Sequence, residues 1–233
     1  MPPTFLYIAP VDDDAPLRED ELRELPVFPL PRVVFFPGSR VPLYLFEPRY
    51  RAMAQHCVEH GPRALALVRI LPDHEGDWQG NPPVEAVAGA GRIVEHRKRR
   101  DGTHDMVLVG TDRVRLHELP ELGLPFRRAR AERLVDTGRI EVQDDATRAL
   151  MSCATALGAW IRRKHPDFEL RLDPRESPAQ LADRLADCFV ADPDKRQSIL
   201  EMLDVSLRVH AVSATLSELM LHVLPHGPSG LSH

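Results

Sequence analysis

Prolines at positions 26, 29, 31, 37, 42 and 48 punctuate the segment Leu25–Tyr50 and constrain what this chain can fold into more than any other feature. Between them lie apolar, β-branched and aromatic runs whose composition favours strands, separated by the turn signal Pro37-Gly38-Ser39. A proline cannot donate a ladder hydrogen bond, so the pattern predicts two short, tightly joined strands confined to sheet edges, bulges and turns. Aromatic residues make up only 6% of the chain, yet Phe28, Phe35, Phe36, Tyr44, Phe46 and Tyr50 all fall in this block. It holds the densest apolar surface in the sequence.

The block resembles the opening of the amino-terminal domain of Lon-type ATP-dependent proteases. That family starts with a Leu-Pro-Leu-Phe-Pro-Leu pattern, turns at Phe-Pro-Gly and closes on Glu-Pro-Arg-Tyr. Here the matching residues are Leu25–Leu30, Phe36-Pro37-Gly38 and Glu47-Pro48-Arg49-Tyr50. The resemblance continues through Gly110-Thr111-Asp112-Arg113 and Lys195–Glu201, and covers residues 24–224. It implies an α+β fold: a small PUA-like β-barrel or pseudobarrel followed by a helical bundle with a long last helix.

The periodicities agree on the order of elements. Residues 1–23 read as an acidic, partly ordered arm, 24–136 as the β-rich part, 140–224 as the helical part and 225–233 as a disordered tail. Within the β-rich part, Tyr50, Met53, Ala54, Cys57 and Val58 fall at helical spacing until Gly61-Pro62 stops them. Strands are predicted at 64–71, 84–95, 106–116 and 126–135, with an Asp101-Gly102 hairpin signal between the second and third. Residues 144–164 form an amphipathic pattern with Asp144 and Asp145 at the positive end and Arg162-Arg163-Lys164 at the negative end, as the helix dipole prefers. Ser177-Pro178-Ala179-Gln180 has the form of a capping box, and Asp192-Pro193 starts another helix. Asp204–Leu224 is the long last helix.

Composition narrows the functional classes. The 233 residues carry 43% hydrophobic and 28% charged side chains and a net charge of −5, which disfavours general polyanion binding. Cys57, Cys153 and Cys188 are far apart and outside any CxxC, so neither a disulfide framework nor a zinc ribbon is indicated. The amino terminus is a poor signal peptide, and no run approaches the roughly 20 apolar residues needed to span a bilayer. A cytoplasmic protein without membrane contact is the expectation.

No catalytic constellation stands out. A GxxxxGK[ST] loop is absent, as is any Ser/His/Asp set with a glycine-rich elbow. Against the Lon proteases the chain therefore reads as a free-standing amino-terminal domain without the ATPase and peptidase modules, not an enzyme and without a cofactor. His56-Cys57-Val58-Glu59-His60 matches the zinc pattern HxxEH, but lacks a third ligand at a suitable spacing; solvent-facing polar residues at a helix end are the preferred reading. Arg97-Lys98-Arg99-Arg100 is a candidate RNA contact, the alternative function for a PUA-like module. Its shortness and lack of interleaved aromatics favour a solvated hairpin tip, and nucleic acid is not expected as a partner.

What remains is recognition. The resemblance implies binding of unfolded or exposed apolar polypeptide segments, with a role as adaptor or regulator of proteolysis and a protease complex as a further partner. Candidate peptide contacts are Phe36 and Pro37 beside the turn, and Trp78 in the polar loop 72–83, which either anchors a partner or folds back onto the barrel. Phe35 and Phe36 point to opposite strand faces, so one is expected in the core and the other on a surface groove. Glu47, Pro48, Arg49 and Tyr50 read as a structural corner between strand and helix. Neither the client nor the oligomeric state follows from the sequence.

Overall fold

The computed structural model describes residues 15–77, 80–120, 123–138, 140–141, 144–170, 172–173 and 176–223. Trp78, residues 1–14 of the expected arm and the expected tail 225–233 lie outside the described residues.

Six strands and one helix make the first layer: β1 (Leu25–Leu30), β2 (Arg40–Leu45), α1 (Pro48–Glu59), β3 (Ala64–Arg69), β4 (Val87–Lys98), β5 (His104–Glu118) and β6 (Arg127–Leu134). The order is β2-β5-β4-β3-β1-β6, and β6 also pairs with β5. Five strands therefore close into a ring, and β2 hangs on its outside. The long β5 makes this possible, because residues 104–109 pair with β2 and residues 113–118 with β6. Closure removes the exposed edges that an open sheet would carry.

The two strands of the proline-rich block are not a hairpin. β1 pairs with β3 in parallel and with β6, while β2 pairs with β5, so the expected tight junction is corrected. Nor is β1 an edge strand, despite its prolines. The Leu30 carbonyl accepts from the Ile70 N–H, so residues 26, 28 and 30 face β3, and 25, 27 and 29 face β6. Pro26 thus faces β3 before that pairing begins at Val27, and Pro29 faces β6 after that pairing ends at Val27. Each missing donor falls beyond the end of the ladder on its side.

Between β1 and β2 the chain crosses over the sheet. A Cβ on Gly89 would lie 1.9 Å from the Phe35 carbonyl oxygen, and one on Gly110 would lie 2.1 Å from that of Phe36. Only glycine permits this approach. Gly38 then turns at φ 80°, its N–H donating to the Gly110 carbonyl while the Gly110 N–H donates to Ser39, a glycine-led bulge that starts β2.

The second layer is α2 (Asp145–Lys164), α3 (Pro178–Phe189), α4 (Pro193–Glu201) and α5 (Val205–Val223). Asp144 caps α2 and the Ser177–Gln180 capping box starts α3. Their apolar stripes share one core with Val34, Phe36 and Val87 of the barrel. Along β3, Leu65 and Leu67 join a cluster with α1, while Ala64, Ala66 and Val68 join one of small side chains drawn from the five ring strands. Leu17 and Leu22 bury into that last cluster, so this part of the expected arm belongs to the barrel.

Candidate functional site

An apolar groove of about 340 Å³ opens between the end of β1 and the outer strand β2. Pro29 and Pro31 line one side, Pro42, Tyr44 and Phe46 the other, and the buried Phe28 and Tyr50 lie between. Alternation along β2 sends Leu45 into the core and Tyr44 outward. Tyr44 and Phe46 remain 49% and 56% exposed, with ring centroids 5.9 Å apart. A smaller hollow of about 180 Å³ shares Pro29 and Tyr50 and continues to Leu124, Phe126 and Arg127.

The residues Glu47–Tyr50 build the corner of this groove. Pro48 occupies the first turn of α1, and the Glu47 carbonyl accepts from the N–H groups of Tyr50 and Arg51. The Glu47 side chain does not cap the helix; it accepts from Arg49 Nε at 3.1 Å. Arg49 also donates to the Gly80 carbonyl at 2.7 Å and lies 4.5 Å from the Tyr50 ring centre. Tyr50 packs 4.3 Å from Phe28, and burial raises its phenol pKa above the ordinary value. The carboxylate and the guanidinium here serve each other and the backbone, and the Tyr50 ring packs between Arg49 and Phe28.

Phe36 contributes nothing to this surface. It is fully buried in the bundle core beneath the Arg196 guanidinium, and Phe35 is buried in the α1 cluster. The expectation that one of the pair lines a surface groove is corrected: glycine tracks beneath and the bundle above cover both faces. Pro37 is half-buried. The groove aromatics are instead Tyr44 and Phe46. The signal was available in Val41-Pro42-Leu43-Tyr44-Leu45-Phe46, where every second residue is set outward.

Two of the four basic residues of the tip share one carboxylate. Arg97 and Arg99 both reach Asp105, at 2.6 and 2.8 Å, and their hydrogen bonds hold its carboxyl down to about 2. Arg99 also lies 4.8 Å over the Tyr44 ring, so the tip supports the groove aromatic.

His56 and His60 have ring centres 6.4 Å apart, and His56 packs on Phe126 at 5.3 Å. Burial, then the Arg128 charge, lowers the His56 pKa. Among the described residues no three His, Cys, Asp or Glu side chains converge as a metal site. Burial pushes the Cys57 thiol up to about 12, so it is not a ready nucleophile at neutral pH.

The Gly110–Arg113 and Lys195–Glu201 elements meet in space. Asp112 accepts from the Leu17 N–H and from Arg133 Nε, holding the amino-terminal segment and β6. Its neighbour Arg113 donates to the Leu200 carbonyl at 3.0 Å and pairs with Asp183 of α3. The fully buried Arg208 of α5 lies 3.2 Å from Asp183 and makes a two-pronged pair with Asp136, both contacts at 2.7–2.8 Å. Gln197 donates to the Val87 carbonyl. Barrel and bundle are thus fixed to each other by charge as well as by apolar packing.

The described residues thus form a closed five-strand barrel locked to a helical bundle, with an apolar groove beside the outer strand. The family model of the ATP-dependent protease La (LON) substrate-binding domain matches residues 24–218, and the chain belongs to that family. It is 29% identical over 188 residues to the Lon protease of Paraburkholderia phytofirmans, covering 80% of this chain and 23% of that protein. It is 25% identical over 202 residues to the Lon protease of Escherichia coli K12, covering 86% of this chain and 25% of that one. The chain thus spans about a quarter of the length of these relatives.

Two solved structures share the fold. The Lon N-terminal domain protein from Xanthomonas campestris superposes with a TM-score of 0.58 at 21% identity, covering 87% of this chain and 99% of that chain. The N-terminal domain of Mycobacterium avium complex Lon protease gives 0.61 at 17%, covering 84% and 99%. Among the described residues no helix is long and apolar enough to cross a membrane.

Proposed function

We propose that this domain is a non-catalytic reader of unfolded or partly folded polypeptides, and that the groove between β1 and β2 holds their apolar side chains. The observation that carries this reading is the exposed Tyr44–Phe46 pair over an apolar groove, on a fold whose family is described as substrate-binding. Large aromatic side chains left in water beside a concave apolar lining favour a partner that covers them. Delivery of the captured segment to a proteolytic complex, as adaptor or regulator, follows as the physiological role. We place it in the cytoplasm, whose reducing conditions suit the three free thiols. RNA binding through the hairpin tip is disfavoured by the Asp105 pairing, which engages guanidinium donors of Arg97 and Arg99 that phosphates would need.

A labelled, permanently unfolded model polypeptide titrated against the domain tests the proposal by anisotropy. Micromolar binding is expected, weakened about tenfold by Tyr44→Ser with Phe46→Ser, the loss of about 1.4 kcal/mol typical of truncated aromatic anchors. Both side chains are exposed, so thermal unfolding should be little changed. Absence of binding at several hundred micromolar would sink the reading.

A further inference from the structure

We infer that the groove reads side chains without adding the bound segment to a sheet, and so accepts apolar segments in either chain direction, including those that lack backbone N–H groups. This rests on the peptide-reading function proposed above.

The argument is an inventory of backbone donors, since a peptide can join a sheet edge only where N–H and C=O groups alternate outward. On β1, the alternation fixed by Leu30 and Ile70 turns the amides of Phe28 and Leu30 toward β3. The free edge of β1 beyond Val27 then offers Pro29 and, past the strand end, Pro31, neither of which has a donor. On β2, the bulge at Gly38 and Ser39 against Gly110 sets the phase: Val41, Leu43 and Leu45 face β5, while Arg40, Pro42 and Tyr44 face outward. Pro42 interrupts that outer edge between its two donors. The Tyr50 amide is already committed to the Glu47 carbonyl.

The β1 wall therefore has no donors and the β2 wall has a gap at its centre, so neither offers the unbroken row that strand addition uses, although their carbonyls are present. Tyr44, Phe46, Phe28 and Tyr50 nevertheless supply four aromatic rings along the same lining. Affinity must come from apolar burial against those rings, which does not depend on whether the peptide runs parallel or antiparallel to β2. It also does not depend on the peptide's own N–H groups, so proline-bearing segments, excluded from strand-adding readers, are admitted here. The bound segment is accordingly an extended polypeptide selected by large apolar side chains and indifferent in backbone polarity.

Three labelled peptides test this on the intact chain: an apolar, aromatic parent, its retro sequence, and the parent with N-methylated backbone amides at alternate positions. Anisotropy titrations should give dissociation constants within fivefold of one another. Weakening beyond fivefold for the retro or the N-methylated peptide would overturn the inference while leaving peptide binding intact. A parent that fails to bind, or whose binding ignores Tyr44→Ser with Phe46→Ser, overturns instead the groove as the reading site, and this inference with it.

Discussion

Gly89 and Gly110 show how much of this fold is decided by single atoms. Each lies directly beneath a carbonyl of the Phe35–Phe36 crossing, at distances where no Cβ can stand. Gly89→Ala would have to push the crossing off the sheet, opening both the α1 cluster around Phe35 and the bundle core around Phe36. A loss on the order of 3 kcal/mol is expected, read as a lower denaturant midpoint in chemical unfolding. A change under about 0.5 kcal/mol would show that the crossing has room to rise. The same two glycines explain why Phe36, sited beside a surface turn in the sequence, ends fully buried.

At the scale of elements, the β4–β5 hairpin carries the most evident pH sensitivity. His96 Nε2 and His104 Nδ1 are 2.8 Å apart across the two strands, a hydrogen bond that needs at least one neutral imidazole. Burial is the first cause lowering both pKa values; positive neighbours add to it, Arg63 and Lys98 for His96, and His96, Lys98 and Arg51 for His104, with Glu59 opposing. Folding thus favours the neutral forms, so this contribution is intact above the ordinary value of 6.5 and is lost as pH falls below it. Urea midpoints should decline between pH 7 and 5, and the decline should flatten in the double variant His96→Gln with His104→Gln. An unchanged slope in that variant would assign the pH dependence elsewhere.

Most elements were legible from the sequence for plain physical reasons. The capping box at Ser177, the Asp101-Gly102 hairpin and the helical stripe of α2 are local signals, and each stands within a few residues of its expected place. What was not legible is pairing over distance. Local turn chemistry cannot say that β1 seeks β3 and β6 rather than β2, because those partners lie about 40 and 100 residues further along the chain. The burial of Leu17 and Leu22 was hidden likewise, since their partners are the distant Asp112, Arg133 and Ala131.

Across the whole molecule, the Arg113–Asp183–Arg208–Asp136 network makes barrel and bundle one unit. Asp183 is buried between two guanidinium groups, and removing it leaves two buried cations without their shared partner. Asp183→Ala should cost about 3–5 kcal/mol and separate the unfolding of barrel and bundle into two transitions. A single transition at nearly unchanged stability would reduce the network to an accessory of the apolar core. A different consequence follows from the ring itself. Leu25 pairs with Ala129, so a chain growing from its amino terminus has made β1 long before β6 exists. During that interval the most aromatic stretch of the sequence stands with one flank open, available to any neighbouring nascent chain. Pro29 breaks the row of donors on that flank and makes it a poorer template for intermolecular strands, so a residue that lies where the β6 ladder has ended also protects β1 while it waits for that partner.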